Sequence, residues 1–279
     1  MIFSKSHSIQ SGFFVFKKLT PIQSVTFAKM YTLKKSLGQH FLKDENICRK
    51  IVEALRQKTF NQLLEVGPGG GALTKYLLQL DNISFKAVEL DDEKVEYLEK
   101  TFPALKDKII HQSFLEIEKP FEGNFTVIGN FPYNISSQIL FKVLEWKEEV
   151  DCVIGMFQKE VAQRAAAKEG NKTYGVLSVL VQAFYDVEYL FEVSEKSFQP
   201  PPKVKSAVIR LTPVKSKLEM KSEKDFFTLV KTAFNQRRKT LRNAVKGLFD
   251  AAFLQDELFT KRAEQLSVKE FAALTFKMK

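Results

Sequence analysis

The sequence predicts an α/β fold, a mostly parallel sheet carrying helices on its faces, followed by a small all-helical region. Two observations predict it. From residue 44 to 213, short apolar runs of strand length alternate with segments of about ten residues that have apolar positions at helical spacing. After Pro213 the strand pattern stops and only helical spacing continues. The expected organisation is an extension over 1–30, a sheet-bearing domain over 31–213 and a helical domain over 214–279, with the boundary near 212–220.

Taken in order, 46–55 reads as a helix, with Ile47, Ile51 and Leu55 one turn apart and Asp44 as its N-cap. Residues 62–66 read as a buried strand, broken by Pro68, Gly69, Gly70 and Gly71. Leu73, Leu77 and Leu80 give 72–80 helical spacing. A second strand spans 84–90, and a helix follows over 91–102 with acids in its first turn, where the macrodipole favours them. Strands over 108–111 and 125–129 come next, the latter running into the turn Asn130-Phe131-Pro132-Tyr133. Then come a helix over 136–144, a strand over 151–157 and a helix over 159–167. Residues 175–185 are apolar nearly all round, as in a buried helix. The strands 187–193 and 205–211 have no helix between them and are expected to pair antiparallel.

Charge separates the chain further. The net charge is +10, yet 44–213 holds 21 Lys/Arg against 25 Asp/Glu, while 1–43 holds seven cations and no acid, and 214–279 holds 15 cations against eight acids. A mildly acidic middle between basic ends fits a polyanion gripped outside the central domain. Two cysteines, Cys48 and Cys152, cannot build a disulfide framework and read as reduced packing residues. The three histidines, His7, His40 and His111, are scattered, so no metal site is expected. No apolar stretch approaches the roughly 20 residues of a membrane span. Residues 1–29 lack acids and arginine, and their short GFFVF run falls below a secretory signal's apolar region. They read as a disordered extension, or as translation from upstream of a start at Met30, with the cytoplasm as the expected location.

The clearest chemical signal is Glu65-Val66-Gly67-Pro68-Gly69-Gly70-Gly71 between a strand and a helix. Glycines let a backbone turn sharply and approach a ligand without a Cβ collision. Glu89 closes the next strand, 22 residues after Gly67, where a carboxylate can accept from ribose hydroxyls. Together they specify an adenosine-containing cofactor; the loop alone leaves open S-adenosylmethionine or a dinucleotide, and hence hydride transfer.

Asn130-Phe131-Pro132-Tyr133 narrows the chemistry. An adenine N6 amine is a poor nucleophile, because its lone pair is delocalised into the ring. Two acceptors aimed at its protons hold that lone pair toward an electrophilic methyl. The Asn130 side-chain oxygen and the Phe131 carbonyl can serve, Pro132 stiffens the turn, and Tyr133 can stack on the purine. An isolated NFPY would read as an ordinary strand-to-helix turn; its place downstream of a nucleoside pocket favours catalysis.

These motifs, with Ser36-Leu37-Gly38-Gln39-His40-Phe41-Leu42, the run 198–208 (FQPPPKVKSAV) and the run 235–243 (NQRRKTLRN), resemble the rRNA adenine N6-dimethyltransferase family, in particular its bacterial small-subunit (KsgA) type, over about 33–246. The resemblance implies a Rossmann-like class I methyltransferase domain with a seven-stranded sheet whose last strand is antiparallel. It implies S-adenosylmethionine as cofactor. It also implies dimethylation of two adjacent adenines near the 3′ end of 16S rRNA, within the small ribosomal subunit or its precursor; a monomer is expected. By position, His40, Leu42, Gly67, Gly69, Glu89, Ser113 and Asn130 fall at cofactor contacts, with the segment 36–42 closing over the cofactor. Phe198 falls at a second aromatic wall for the base, against the plain alternative of a core phenylalanine. At Ser113 the family usually carries an acid facing the cofactor's adenine amine; serine gives up the charge-assisted bond.

If 231–246 is one helix, Lys231, Asn235, Arg238, Arg242 and Lys246 share a stripe opposite Phe234, Leu241 and Val245. Lys231, Arg237, Arg238, Lys239 and Arg242 are then the expected RNA contacts. Competing readings are a large-subunit rRNA methyltransferase, a non-catalytic assembly or transcription factor on the same fold, and a small-molecule methyltransferase.

Overall fold

The computed structural model describes residues 40–279. The extension 1–30 and the leading residues Ser36–Gln39 lie outside the described residues.

Strands β1 (Phe41–Leu42), β2 (Gln62–Val66), β3 (Ser84–Glu89), β4 (Ile109–His111), β5 (Phe125–Asn130), β6 (Val150–Gln158), β7 (Tyr185–Val193), β8 (Phe198–Gln199) and β9 (Ser206–Pro213) alternate with helices α1 (Glu45–Arg56), α2 (Thr74–Leu77), α3 (Asp92–Thr101), α4 (Ser136–Glu145), α5 (Lys159–Ala166) and α6 (Val176–Gln182). Seven strands form one sheet in the order β4-β3-β2-β5-β6-β9-β7. The pairs from β4 through β6 are parallel, and β9 runs antiparallel to both neighbours. The last strand in the chain is thus the reversed one, as the fold class anticipates. A two-stranded pair, β1 with β8, stands apart from the sheet.

Strand alternation divides the core. Leu64, Val127 and Val153 face a cluster with α4, α5, α6 and the helical segment, whereas Leu63, Ile128 and Ile154 face one with α1 and Leu98 of α3. Both faces are apolar because a sheet covered on both sides has no wet face. Cys48 and Cys152 are free thiols in the second cluster, and burial pushes both up to about 12.

Helix starts follow local chemistry. Asp44 accepts from the Asn46 and Ile47 amides at 3.0 and 3.3 Å, and Asp91 from the Glu93 amide at 3.2 Å. Two helical expectations are shortened. Residues 72–80 contain only α2, between tight turns. The helix expected over 175–185 ends at Gln182, because Tyr185 enters β7 and donates to the Val150 carbonyl at 3.1 Å.

After Pro213 the described chain is helical, with α7 (Glu223–Asn235), α8 (Leu241–Ala244), α9 (Val268–Thr275) and 3-10 turns between. The single helix expected over 231–246 is incorrect. It breaks at 236–240, between the end of α7 at Asn235 and the start of α8 at Leu241. Tertiary contacts hold the break: the Leu241 amide donates to the Lys261 carbonyl at 2.7 Å, and Thr240 bridges to Arg262. Among the described residues no helix is long and apolar enough to cross a membrane.

Candidate active site

The carboxyl ends of β2, β3 and β5 lie side by side, and each delivers one part of the site. The loop after β2 carries Gly67 and Gly69 at φ of +66° and +56°, a region that penalises a side chain. Gly67 donates to the Val88 carbonyl at 2.9 Å, which ties the loop to β3. Glu89, 7% exposed, anchors the same loop: one carboxylate oxygen accepts from the Gly69 amide at 3.1 Å, and the other from Leu90 and Asp91 at 3.0 and 3.1 Å. The acid is thus held at the loop, where a ribose would sit.

Two neighbours complete this pocket. Leu90 is 52% exposed beside Glu89, an apolar side chain that can lie against a purine face. Sequence reasoning passed over it; its signal was an apolar residue directly after a strand-ending acid. Ser113, just beyond β4, is half-buried, and its hydroxyl has no hydrogen-bond partner among the described residues. A glycine turn at positive φ, a fixed carboxylate, an apolar side chain and a free hydroxyl fit the nucleoside half of S-adenosylmethionine.

Beneath the loop lies Glu65, 1% exposed, accepting from the Thr74 hydroxyl at 2.7 Å. Burial, aided by repulsion from Glu89, pushes its carboxyl up to about 8 against the Thr74 hydrogen bond, so it is protonated at neutral pH.

The turn after β5 meets this loop directly. Pro132 packs 3.7 Å from where a Gly67 Cβ would stand. The Phe131 ring, 1% exposed, lies over Gly129 and Gly155, which are cross-strand partners; a Cβ at either would come within 2.7 or 2.3 Å of the ring. Phe157 meets the ring edge-on at 4.8 Å. Burying such a ring is worth about 2–3 kcal/mol, enough to lock the turn in place. Its amide donates to the Met156 carbonyl at 3.1 Å, which fixes the peptide that carries the Asn130 carbonyl.

Asn130 is oriented by His40. Its Nδ2 donates to the His40 carbonyl at 3.2 Å. A carbonyl can only accept, so the amide's other end, Oδ1, is the acceptor left for a ligand. The His40 ring lies 5.2 Å from the Tyr133 ring, and its Nδ1 contacts the Pro200 carbonyl at 3.0 Å. Tyr133 is half-buried with its hydroxyl on Ser206 Oγ, and burial raises its pKa, which keeps the phenol neutral.

Not every expected site residue reaches the cleft. Phe198 is fully buried and Leu42 is 5% exposed. They are cross-strand partners in the β1–β8 pair and belong to the core cluster. In this structure both are packing residues without a free face, because pairing the leading segment to β8 turns them inward. Among the cations, Arg237 is engaged internally, donating to the Lys172 carbonyl at 2.5 Å and standing 3.6 Å from Glu264. Arg242 is half-buried with Nε unpartnered. The stripe shared with Arg238 is therefore absent, whereas Lys231, Arg238 and Lys239 are exposed.

The family model for ribosomal RNA adenine dimethylase matches residues 30–277. The chain belongs to this family. It is 54% identical over 246 residues to ribosomal RNA small subunit methyltransferase A of Cytophaga hutchinsonii, covering 87% of this chain and 95% of that one. It is 56% identical over 248 residues to the protein of the same name from Parabacteroides distasonis, covering 87% and 92%. Among solved structures, a dimethyladenosine transferase from Plasmodium falciparum aligns with a TM-score of 0.70 at 26% identity, covering 83% of this chain and 94% of that one. The 23S rRNA methyltransferase ErmE, with a TM-score of 0.62 at 22% identity over 84% and 99%, shares the fold. The protein is an S-adenosylmethionine-dependent rRNA adenine methyltransferase with the α/β fold its sequence predicted.

Proposed function

We propose that this enzyme dimethylates N6 of two adjacent adenines near the 3′ end of 16S rRNA, in the small ribosomal subunit or its precursor, acting as a cytoplasmic monomer. The observation that carries the chemistry is the contact of the Asn130-Phe131-Pro132-Tyr133 turn with the glycine loop at Gly67, which sets an amine-orienting acceptor beside the cofactor loop. The small-subunit assignment is supported by relatives that share more than half their residues over nearly their whole length and are named for that substrate.

When bound, S-adenosylmethionine supplies an electrophilic methyl group. Gly67, Gly69, Glu89, Leu90 and Ser113 hold its nucleoside. Asn130 Oδ1 and the Phe131 carbonyl accept the two amine hydrogens, which turns the nitrogen lone pair out of conjugation and toward the methyl. Tyr133 stacks on the base as a neutral ring. No base is required before transfer, because the proton leaves after the nitrogen has gained its methyl. The helical segment after Pro213 supplies phosphate contacts through Lys231, Arg238 and Lys239, whereas Arg237 braces it through Lys172 and Glu264.

The test is to supply labelled cofactor and small subunits lacking these methyl groups, and to map the label by mass spectrometry of rRNA digests, with an Asn130→Ala variant alongside. Dimethyladenine at adjacent adenines near the 3′ end, lost in the variant, is the expected result. Label confined to large-subunit rRNA would overturn the substrate assignment.

A further inference from the structure

The segment between β8 and β9 carries a feature outside the catalytic turn. Lys203, Val204 and Lys205 form an exposed tip, and Val204, at 46% exposure, is one of the few large apolar side chains the described chain leaves in water. Both ends of the segment are tied to the site. At one end the Pro200 carbonyl meets His40 Nδ1 at 3.0 Å; at the other, Ser206 Oγ bonds the Tyr133 hydroxyl. Between them Pro202 is buried, and the Lys205 carbonyl accepts from the Lys159 amide at 2.9 Å. Three prolines limit the backbone further. The tip is therefore held at the mouth of the cleft.

Its charge is uncommitted. Neither Lys203 nor Lys205 forms an ion pair among the described residues. Lys205 acts on Glu192 at longer range, but that carboxylate is already paired with Lys159 at 2.6 Å. An apolar side chain between two free cations, fixed beside a base-binding ring, matches the chemistry of a nucleic-acid wedge. Apolar wedges occupy the space between bases, and lysines neutralise the flanking phosphates.

We infer that Val204 fills the stacking gap left when the target adenine swings into the cleft, and that Lys203 and Lys205 hold the phosphates on either side of it. This rests on the RNA substrate reading above and gives that substrate a strand-positioning element. Val204 is a positioning residue: it touches the neighbouring base and not the reacting atoms.

The test uses the full chain with undermethylated small subunits and with protein-free rRNA, measuring affinity and turnover separately. Val204→Ser is expected to lower kcat about tenfold with KM and cofactor affinity unchanged, and Val204→Ile to restore it. The Lys203→Ser/Lys205→Ser double variant is expected to raise KM about tenfold, to keep kcat, and to lower the salt slope of RNA affinity by about 1.5. Wild-type values for all of these would overturn the inference. A double variant that loses affinity for intact subunits but not for protein-free rRNA would also overturn it, since the tip would then meet a ribosomal protein. A wild-type enzyme that labels only large-subunit rRNA sinks the small-subunit reading alone; the same variants on that RNA still decide the role of the tip.

Discussion

The strand-end cleft and the basic segment after Pro213 were both rich in sequence signals, but they relate to structure in opposite ways. In the cleft, each residue's position is set by the backbone next to it, Gly67 by its own φ, Asn130 by the end of β5 and Glu89 by the end of β3, while the Asn130 amide is turned by the remote His40 carbonyl. In the basic segment, charge placement depends on where a helix stops. That stop lies at 236–240, and the contacts that hold it come from Lys172, Lys261 and Arg262, remote in sequence. Local geometry is thus a safer guide to function than a surface stripe.

This contrast can be broken or sharpened by substitution. The largest effect is expected in the cleft. Asn130→Ala should lower turnover at saturating cofactor by about 10²–10³-fold, the usual cost of removing one oriented polar group that acts in the transition state. A loss below tenfold in single-turnover assays would remove Asn130 from its orienting role.

Gly129→Ala comes next. Its Cβ would stand 2.5 Å from the Val66 carbonyl and 2.7 Å from the Phe131 ring. Overpacking against backbone should cost about 3 kcal/mol, read as a lower urea midpoint, and displace the Asn130–Tyr133 turn. An unchanged midpoint would show that the sheet yields there.

Glu65→Gln tests the buried carboxyl beneath the loop. Its folded value of about 8 lies above the ordinary 4.5, so between those two values the unfolded chain binds fewer protons than the native one. Wild-type stability from this group therefore falls as pH rises through that window, and the loss is complete above about 8. The variant keeps an acceptor for Thr74 and has no titratable proton, so its advantage over wild type should grow by a few kcal/mol from pH 5 to pH 8. Parallel urea midpoints across pH 5, 6.5 and 8 would refute the assignment.

The smallest effects separate the two arginines. Arg238→Ala should weaken rRNA binding roughly threefold to tenfold with no change in Tm, and should reduce the salt slope by about one. Arg237→Ala should lower Tm by a few degrees instead, through loss of the Lys172 and Glu264 contacts. If both behave alike in binding and stability, the division between bracing and RNA-facing cations fails.

The amino-acid sequence alone determined the α/β class, the order of the motifs along the chain, the glycine loop, the strand-ending Glu89 and the turn Asn130-Phe131-Pro132-Tyr133 after β5. These are encoded by short-range patterns: period-two and helical spacing, breakers, and residues that tolerate positive φ. The seat of the Phe131 ring on Gly129 and Gly155 was not legible, because it joins adjacent strands 26 residues apart. Nor was the amide orientation set by the His40 carbonyl, or the burial of Phe198 and Leu42 through β1–β8 pairing. Those features were decided by tertiary structure. They arise from packing and hydrogen bonds between segments distant in sequence, and no local spacing rule carries such contacts.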